Sequence, residues 1–273
     1  MVTASQQEKG EAFRALHEGE PFVFPNPWDV GSARVLQALG FPALATTSSG
    51  FAFTLGRLDG QVTMEEMVAH ASALDAATDL PISVDLENGY GPDPEDAARA
   101  ILAAAGAGAV GGSIEDYDRA SGRLYDRDLA VDRIAAAAEA ARGVGFPFAL
   151  TARAENHLRS NPDLDDTVGR LQAYERAGAD VLYAPGLRDL EQIRAVCESV
   201  GKPVNVLAVP ELTFEELAGA GAHRVSVGGS LTWVAVAAFA DAASAIRDAG
   251  DLSALSVRVP LGDWFADLAS RDG

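Results

Sequence analysis

The sequence predicts an α/β protein of the (β/α)8 barrel class, and three observations carry that prediction. Eight short apolar runs alternate with alanine-rich helical patterns along the chain, the sequence form of repeated βα units around a parallel sheet. Similar Ala-Gly-Ala phrases recur at 105–110, 177–181 and 220–225, each a helix C-cap running into a strand. The 273 residues, 48% hydrophobic, suit one such barrel, and no linker or low-complexity tract divides them.

In chain order, strands are predicted at residues 22–24, 43–46, 82–85, 110–114, 148–151, 181–183, 204–207 and 224–227. The third is the most informative, because Ile82-Ser83-Val84 stops abruptly at Asp85 and Glu87 and enters the turn Asn88-Gly89-Tyr90-Gly91. The fourth repeats the arrangement: the small and apolar run from Val110 to Ile114 delivers Glu115 and Asp116 at its tip. Helices are predicted at 30–39, 63–77, 93–105, 131–142 and 164–177. Acids within them, as in Pro94-Glu95-Asp96-Ala97-Ala98-Arg99, read as solvated surface. A further helical pattern at 190–197 ends in the lone cysteine, Cys197, read as a small core residue. The tail differs in character. Residues 231–249 form an unusually apolar helical pattern, and 252–268 adds Trp264 and Phe265. Residues 1–273 are therefore expected to form a single domain whose C-terminal segment, 231–273, packs on a neighbouring subunit.

The formal net charge of −19 argues against nucleic-acid and anionic-membrane partners. Residues 1–10 are polar and no apolar run reaches the length of a membrane span, so a cytoplasmic location is expected. No nucleophile elbow and no Walker or Rossmann glycine signature follows a strand, which leaves hydride transfer and nucleotide hydrolysis without support. His17, His70, His157 and His223 are scattered, with none spaced for a metal pair, and are read as non-catalytic.

In a barrel of this class the loops after the strands carry chemistry. The residues to weigh there are Asn26, Asp29, 47–50, Asp85, Glu87, Glu115, Arg153, Glu155, Tyr183, Asn205 and 228–230. Asp85, Glu87 and Glu115 come from adjacent strand tips and would point at one spot. Carboxylates crowded in this way repel one another and lose hydration, so they persist by binding a cation or by sharing protons. An all-oxygen set favours Mg2+ or Mn2+ over zinc. Arg153 can hold a substrate carboxylate or phosphonate, or pair with Glu155. Thr47, Ser48 and Ser49 offer hydroxyls and backbone N–H groups to an anion, or form a plain loop.

Together these segments resemble the isocitrate lyase and phosphoenolpyruvate mutase superfamily, from Pro25-Asn26-Pro27-Trp28-Asp29 to about Leu231. Thr47-Ser48-Ser49-Gly50 matches its Ser-Gly-Gly type loop, and Leu55-Gly56-Arg57-Leu58-Asp59 its Leu-Gly-x-x-Asp segment. Asp85-Leu86-Glu87-Asn88-Gly89-Tyr90-Gly91 resembles its magnesium motif, Asp-x-Asp-x-Gly-Tyr-Gly, while Ile114-Glu115-Asp116 and Ala152-Arg153 match two further segments. The resemblance implies a (β/α)8 TIM barrel whose last helix is exchanged between subunits, in a homodimer or homotetramer. It also implies Mg2+ near Asp85, Glu87 and Glu115, held largely through waters, and an enolate-like transition state stabilised by that cation and Arg153. The bonds broken in such enzymes are C–C or P–C.

Departures from the family narrow the substrate. The lyases carry a Lys-Lys/Arg-Cys-Gly-His loop where this chain has Asp116-Tyr117-Asp118-Arg119-Ala120-Ser121-Gly122-Arg123-Leu124-Tyr125, so no cysteine is available. The mutase Lys-Thr-Asn is missing too. Glu87 replaces an aspartate, and Tyr183-Ala184-Pro185-Gly186 stands where the lyases place a glutamate. A magnesium-dependent carbon–carbon lyase acting on a small 2-oxo acid such as oxaloacetate is the favoured expectation. Asp59 would act as general base or orient a metal-bound water, Ser121 and Arg123 would close with Tyr117 over the site, and Asn205 would help bind substrate. The alternatives are P–C chemistry on phosphonopyruvate, as hydrolase or mutase, and a non-catalytic 2-oxo acid binding protein.

Overall fold

The computed structural model describes residues 4–159 and 161–266, so the first three residues and the end of the predicted tail, 267–273, lie outside it. Helix α1 (Gln6–Glu18) opens the chain from a Ser5–Glu8 capping box. It is followed by β1 (Phe22–Phe24), α2 (Val30–Ala38), β2 (Leu44–Ala45), the short α3 (Ser48–Thr54) and α4 (Met64–Ala77). Next come β3 (Ile82–Asp85), α5 (Pro94–Gly106), β4 (Gly111–Glu115), a hairpin of β5 (Tyr117–Asp118) and β6 (Arg123–Leu124), and α6 (Arg127–Gly143). The second half contains β7 (Ala149–Arg153), α7 (Leu164–Ala177), β8 (Val181–Tyr183), α8 (Leu190–Glu198), β9 (Val204–Leu207), α9 (Phe214–Gly219) and β10 (Arg224–Ser226). It ends in α10 (Ser230–Ala249), a 3-10 turn (Ser253–Ser256) and α11 (Leu261–Trp264).

The eight-stranded sheet is parallel and runs β1-β10-β9-β8-β7-β4-β3-β2. Its two outer strands meet through the Ala45 N–H, which donates to the Pro25 carbonyl at 3.0 Å. The predicted (β/α)8 barrel is the fold observed. Each predicted strand lies where expected, with shifted ends. β7 continues to Arg153 because Glu115 and Arg153 are still paired in register with β4, which puts both site residues on strands and fixes them more firmly than loops would. The Ser/Thr/Gly segment after β2 becomes helix α3, with Thr47 accepting the Gly50 N–H as its cap. α6 begins at Arg127, earlier than predicted, and α1 was not predicted, although Ser5-Gln6-Gln7-Glu8 has the capping-box spacing. α1 buries Phe13 against Phe22, Phe24 and Val110 beneath the barrel, while the main core fills the layer between strands and outer helices with Ala, Leu, Ile and Val. Among the described residues no helix is long and apolar enough to cross a membrane.

The seam depends on one side chain. The Asn26 amide donates to the Thr46 carbonyl at 2.9 Å, and its oxygen accepts the Val227 and Gly228 N–H groups at 3.0 and 2.9 Å. It therefore joins the tips of β2 and β10 across β1, where strand pairing is thinnest. Asn26→Ala leaves these buried backbone groups unpaired and is expected to cost about 2–4 kcal/mol in urea denaturation. A loss below about 0.5 kcal/mol would show that the seam holds without it.

Candidate active site

The carboxyl ends of the strands surround a cavity of about 180 Å³, lined by Thr46, Thr47, Ser48, Ser49, Asp59, Asp85, Arg153, Tyr183 and Asn205 among others. Strand pairing sets the acids around it: Asp85 lies beside Ser113, and Glu115 beside Arg153. Side chains two residues apart on a strand share a face, so Asp85, Glu115 and Arg153 all project into the mouth.

The predicted acids gather there, but around guanidinium groups rather than around one point. Arg153 reaches Asp85 at 3.0 Å, Glu115 at 3.1 Å and Glu155 at 2.7 Å. The ion pair with Glu155 that the sequence offered as one reading is thus present, together with the contacts to the cluster. Arg119, from the hairpin, lies 3.0 Å from Glu87, 3.1 Å from Asp59 and 3.8 Å from Glu115. Arg159 sits 3.5 Å from Glu115 and 3.2 Å from Glu155, its guanidinium over the Tyr117 ring.

The Asp85–Gly91 turn is strained. Glu87 and Tyr90 take positive φ values of 49° and 61°, a region that residues with a Cβ rarely occupy. Arg133 holds the turn in place by donating to the carbonyls of Asn88, Gly91 and Asp93. Burial next to Asp85 pushes the Glu87 carboxyl up to about 7. Burial, then Glu155 nearby, raises Glu115.

Among the described residues no three acidic, histidine or cysteine side chains converge closely enough to hold an ion by themselves. The donor chemistry nevertheless fits a hard cation. One oxygen each of Glu87 and Glu115 is buried without a hydrogen-bond partner among the described residues, and Asp85 opens on the cavity beside them. Such an all-oxygen set suits Mg2+ or Mn2+ reached partly through water.

The substrate-binding candidates divide. Thr47, Ser48 and Ser49 line the cavity, with the Ser48 hydroxyl donating to Asp59 at 2.7 Å and its N–H pointing at Asp85 at 3.4 Å. Asn205 lies deeper, bonded to Ser226 and Arg224. Ser121 and Arg123 are exposed on the hairpin, and Arg119 is the hairpin residue that enters the cluster. The sequence offers Arg119, with Ser121 and Arg123, to an anion, whereas here it meets Glu87, Asp59 and Glu115; Arg159 was not among the candidates. Arg159 carried a signal, standing four residues after Glu155 at a strand tip. The histidines stay outside the cluster, His70 being stacked on Phe51 and His17 half-buried below the barrel. Cys197 packs against the core.

Residues 13–247 match the family model described as phosphoenolpyruvate phosphomutase. The chain superposes on the crystal structure of a candidate lyase/mutase from Burkholderia cenocepacia J2315 with a TM-score of 0.93, 50% identity and 97% coverage of each chain. It is 35% identical over 257 residues to an uncharacterised protein of Mycobacterium tuberculosis, covering 93% of each. It is also 30% identical over 248 residues to an oxaloacetate decarboxylase of Rhodopseudomonas palustris, covering 87% of this chain and 84% of that one.

Glu87 generates a pH prediction for metal-free protein. Its carboxyl is at about 7 in the folded protein against roughly 4.5 unfolded. The folded state therefore keeps a proton that the unfolded state loses, and the contribution of this group is complete below the unfolded value and lost as pH rises through 7. Urea midpoints at pH 5 and 8 should fall more steeply in the native protein than in Glu87→Gln, by up to about 3 kcal/mol in free energy. Equal slopes would contradict the raised carboxyl.

Proposed function

This chain belongs to the phosphoenolpyruvate phosphomutase family, within the superfamily that includes isocitrate lyase, and is an enzyme of lyase type; on that premise we propose that it is a divalent-cation-dependent carbon–carbon lyase acting on a small 2-oxo dicarboxylate such as oxaloacetate. The observation that carries this reading is the position of Arg153, fixed by three carboxylates at the cavity wall. A cation held by Asp85, Glu87 and Glu115, Mg2+ or Mn2+, would supply Lewis-acid stabilisation for charge building on the 2-oxo oxygen. Arg153 adds a fixed positive field on the same side, and because its partners hold it rigid it needs no reorganisation during the reaction. Thr47, Ser48 and Ser49 receive substrate oxygens with neutral donors, and Asp59 orients the Ser48 hydroxyl through its 2.7 Å hydrogen bond. In oxaloacetate the C3–C4 bond would break, its electrons passing toward the 2-oxo oxygen, and C3 would take a proton from water after CO2 leaves. The hairpin seats Arg119 among the acids at the cavity mouth, and Ser121 and Arg123 stand exposed on the same hairpin, where they would close over bound substrate. The relationship to an oxaloacetate decarboxylase supports this substrate class.

A second reading, P–C cleavage of phosphonopyruvate, is favoured by the family's phosphomutase description and by Arg119 and Arg159 beside the mouth. We further propose that residues 231–273 complete a dimer or tetramer. Of the 20 residues of α10 only Thr232 is buried, and Val234 and Phe239 are 67% and 73% exposed. A helix this apolar and this uncovered suits the surface of a second copy.

Purified protein with Mg2+ should release pyruvate from oxaloacetate well above the rate of the metal alone, and Asp85→Ala should lower that rate at least about 100-fold. Release no faster than with metal alone would reject the decarboxylase reading, and a moved phosphorus resonance with phosphonopyruvate would establish the second. Light scattering should give a dimer or tetramer that Val234→Asp combined with Phe239→Asp converts to monomers. A monomeric native protein would reject the assembly.

A further inference from the structure

The barrel has a second cavity at its other end. It measures about 320 Å³ and opens between α1, the end of α6 and the first residues of β7 and β8, a size that suits a small organic ligand. Its floor is apolar, built from Ala138 and Ala141 of α6 and from Phe146, Pro147 and Phe148 ahead of β7. The space does not come from loose docking of α1. Gly10 of that helix lies so close to the loop that a Cβ there would stand 2.4 Å from the Pro147 carbonyl oxygen, and Phe13, three residues on, is 1% exposed. Glycine inside a helix is destabilising, and here it lets α1 meet the loop tightly beside a volume that stays open.

The rim of this cavity is charged. Arg14 of α1 and Arg142 of α6 both line it and are exposed. Arg142 leans over Gly178, where an added Cβ would lie 2.9 Å from its Nη1. Among the described residues neither guanidinium forms an ion pair or a hydrogen bond. Asp180 is the acid on the wall, and its carboxylate accepts the Leu150 N–H at 2.9 Å. His17 completes the wall as a neutral ring, since burial, then the Arg224 charge, pulls it down to about 3. Two positive charges therefore face one negative charge, in a chain whose 40 acids outnumber its 21 basic residues. A positive rim over an apolar floor is complementary to an amphipathic anion.

We propose that this cavity is a second ligand site, separate from the active site, for a small organic carboxylate. Arg14 and Arg142 hold the carboxylate at the rim, and the floor formed by Ala138, Ala141, Phe146 and Phe148 takes its apolar body. A planar carboxylate matches the fork of a guanidinium, whereas an inorganic anion gains nothing from the floor. Chemistry in this fold class is carried by the carboxyl ends of the strands, so an occupant at the opposite end is bound and released unchanged. The site does not depend on the lyase reading.

Calorimetric titration with hexanoate tests the assignment. Hexanoate should bind at one site per chain, and Arg14→Gln combined with Arg142→Gln should weaken it about tenfold or more. Both side chains are exposed and unpaired, so the double variant should keep the native urea midpoint. Hexanol carries the same apolar body without the charge, and inorganic phosphate carries charge without the body; each should bind at least about tenfold more weakly than hexanoate. Mg2+ with pyruvate should leave hexanoate affinity unchanged, because they occupy the other end of the barrel. Absence of hexanoate binding, or equal affinity in the double variant, would overturn the proposal. So would phosphate that binds as tightly as hexanoate, which would mark a patch for any anion, or displacement of hexanoate by Mg2+ and pyruvate, which would put it in the active site.

Discussion

Everything at the barrel mouth depends on balancing buried negative charge. Asp59, Asp85, Glu87, Glu115 and Glu155 meet Arg119, Arg153 and Arg159 within 4 Å contacts, and Glu115 and Glu155 have side chains at most 1% exposed. Removing one member of such a lattice strands a charge away from water at about 3–5 kcal/mol. The surroundings are built to prevent that. Asp116, buried behind the cluster, accepts the Glu155 N–H at 2.8 Å and is held by Tyr174 at 2.6 Å and Arg170 at 3.0 Å. Arg133 restrains the strained turn from the other side. The site therefore stands on two further layers of hydrogen bonds, each anchored in a helix.

The parts of this arrangement that were legible in the sequence are those set by local pattern. A β-branched run that ends in acids and then glycines marks a strand tip whatever the rest of the chain does, so Asp85, Glu87, Glu115 and Arg153 could be placed at one end of a barrel. Strand pairing then decides which tips are neighbours, and the eight-fold alternation supplies that order. The parts that were not legible depend on long side chains crossing between elements. Arg119 comes from a hairpin whose short strands carry almost no periodic signal, and its guanidinium reaches acids up to 60 positions away in the chain. Asn26 could be placed at a strand tip, but only the closed barrel shows that it spans the seam.

The length of a strand governed one further difference. Ending β7 at residue 151 leaves Arg153 just beyond the strand, although the sequence already points it into the barrel mouth near the acids. The observed strand continues through Arg153 because its backbone still pairs with Glu115 and Tyr183. Orientation is then decided by the pleat, and the side chain has to point inward. The same alternation puts Thr151 and Ser113 one step deeper, so the polar lining beneath the acids follows from the register that positions the acids themselves.

The hairpin links geometry to charge. Arg119 is the charge it brings to the cluster, and that side chain is still a quarter exposed. Any displacement of the hairpin takes Arg119 away from Glu87, Asp59 and Glu115 together. The uncovered mouth is therefore more negative by one unit than the covered one. Exposure of the mouth and its pull on positive charge therefore rise together, because the residue that covers the acids is also one of the charges that balance them.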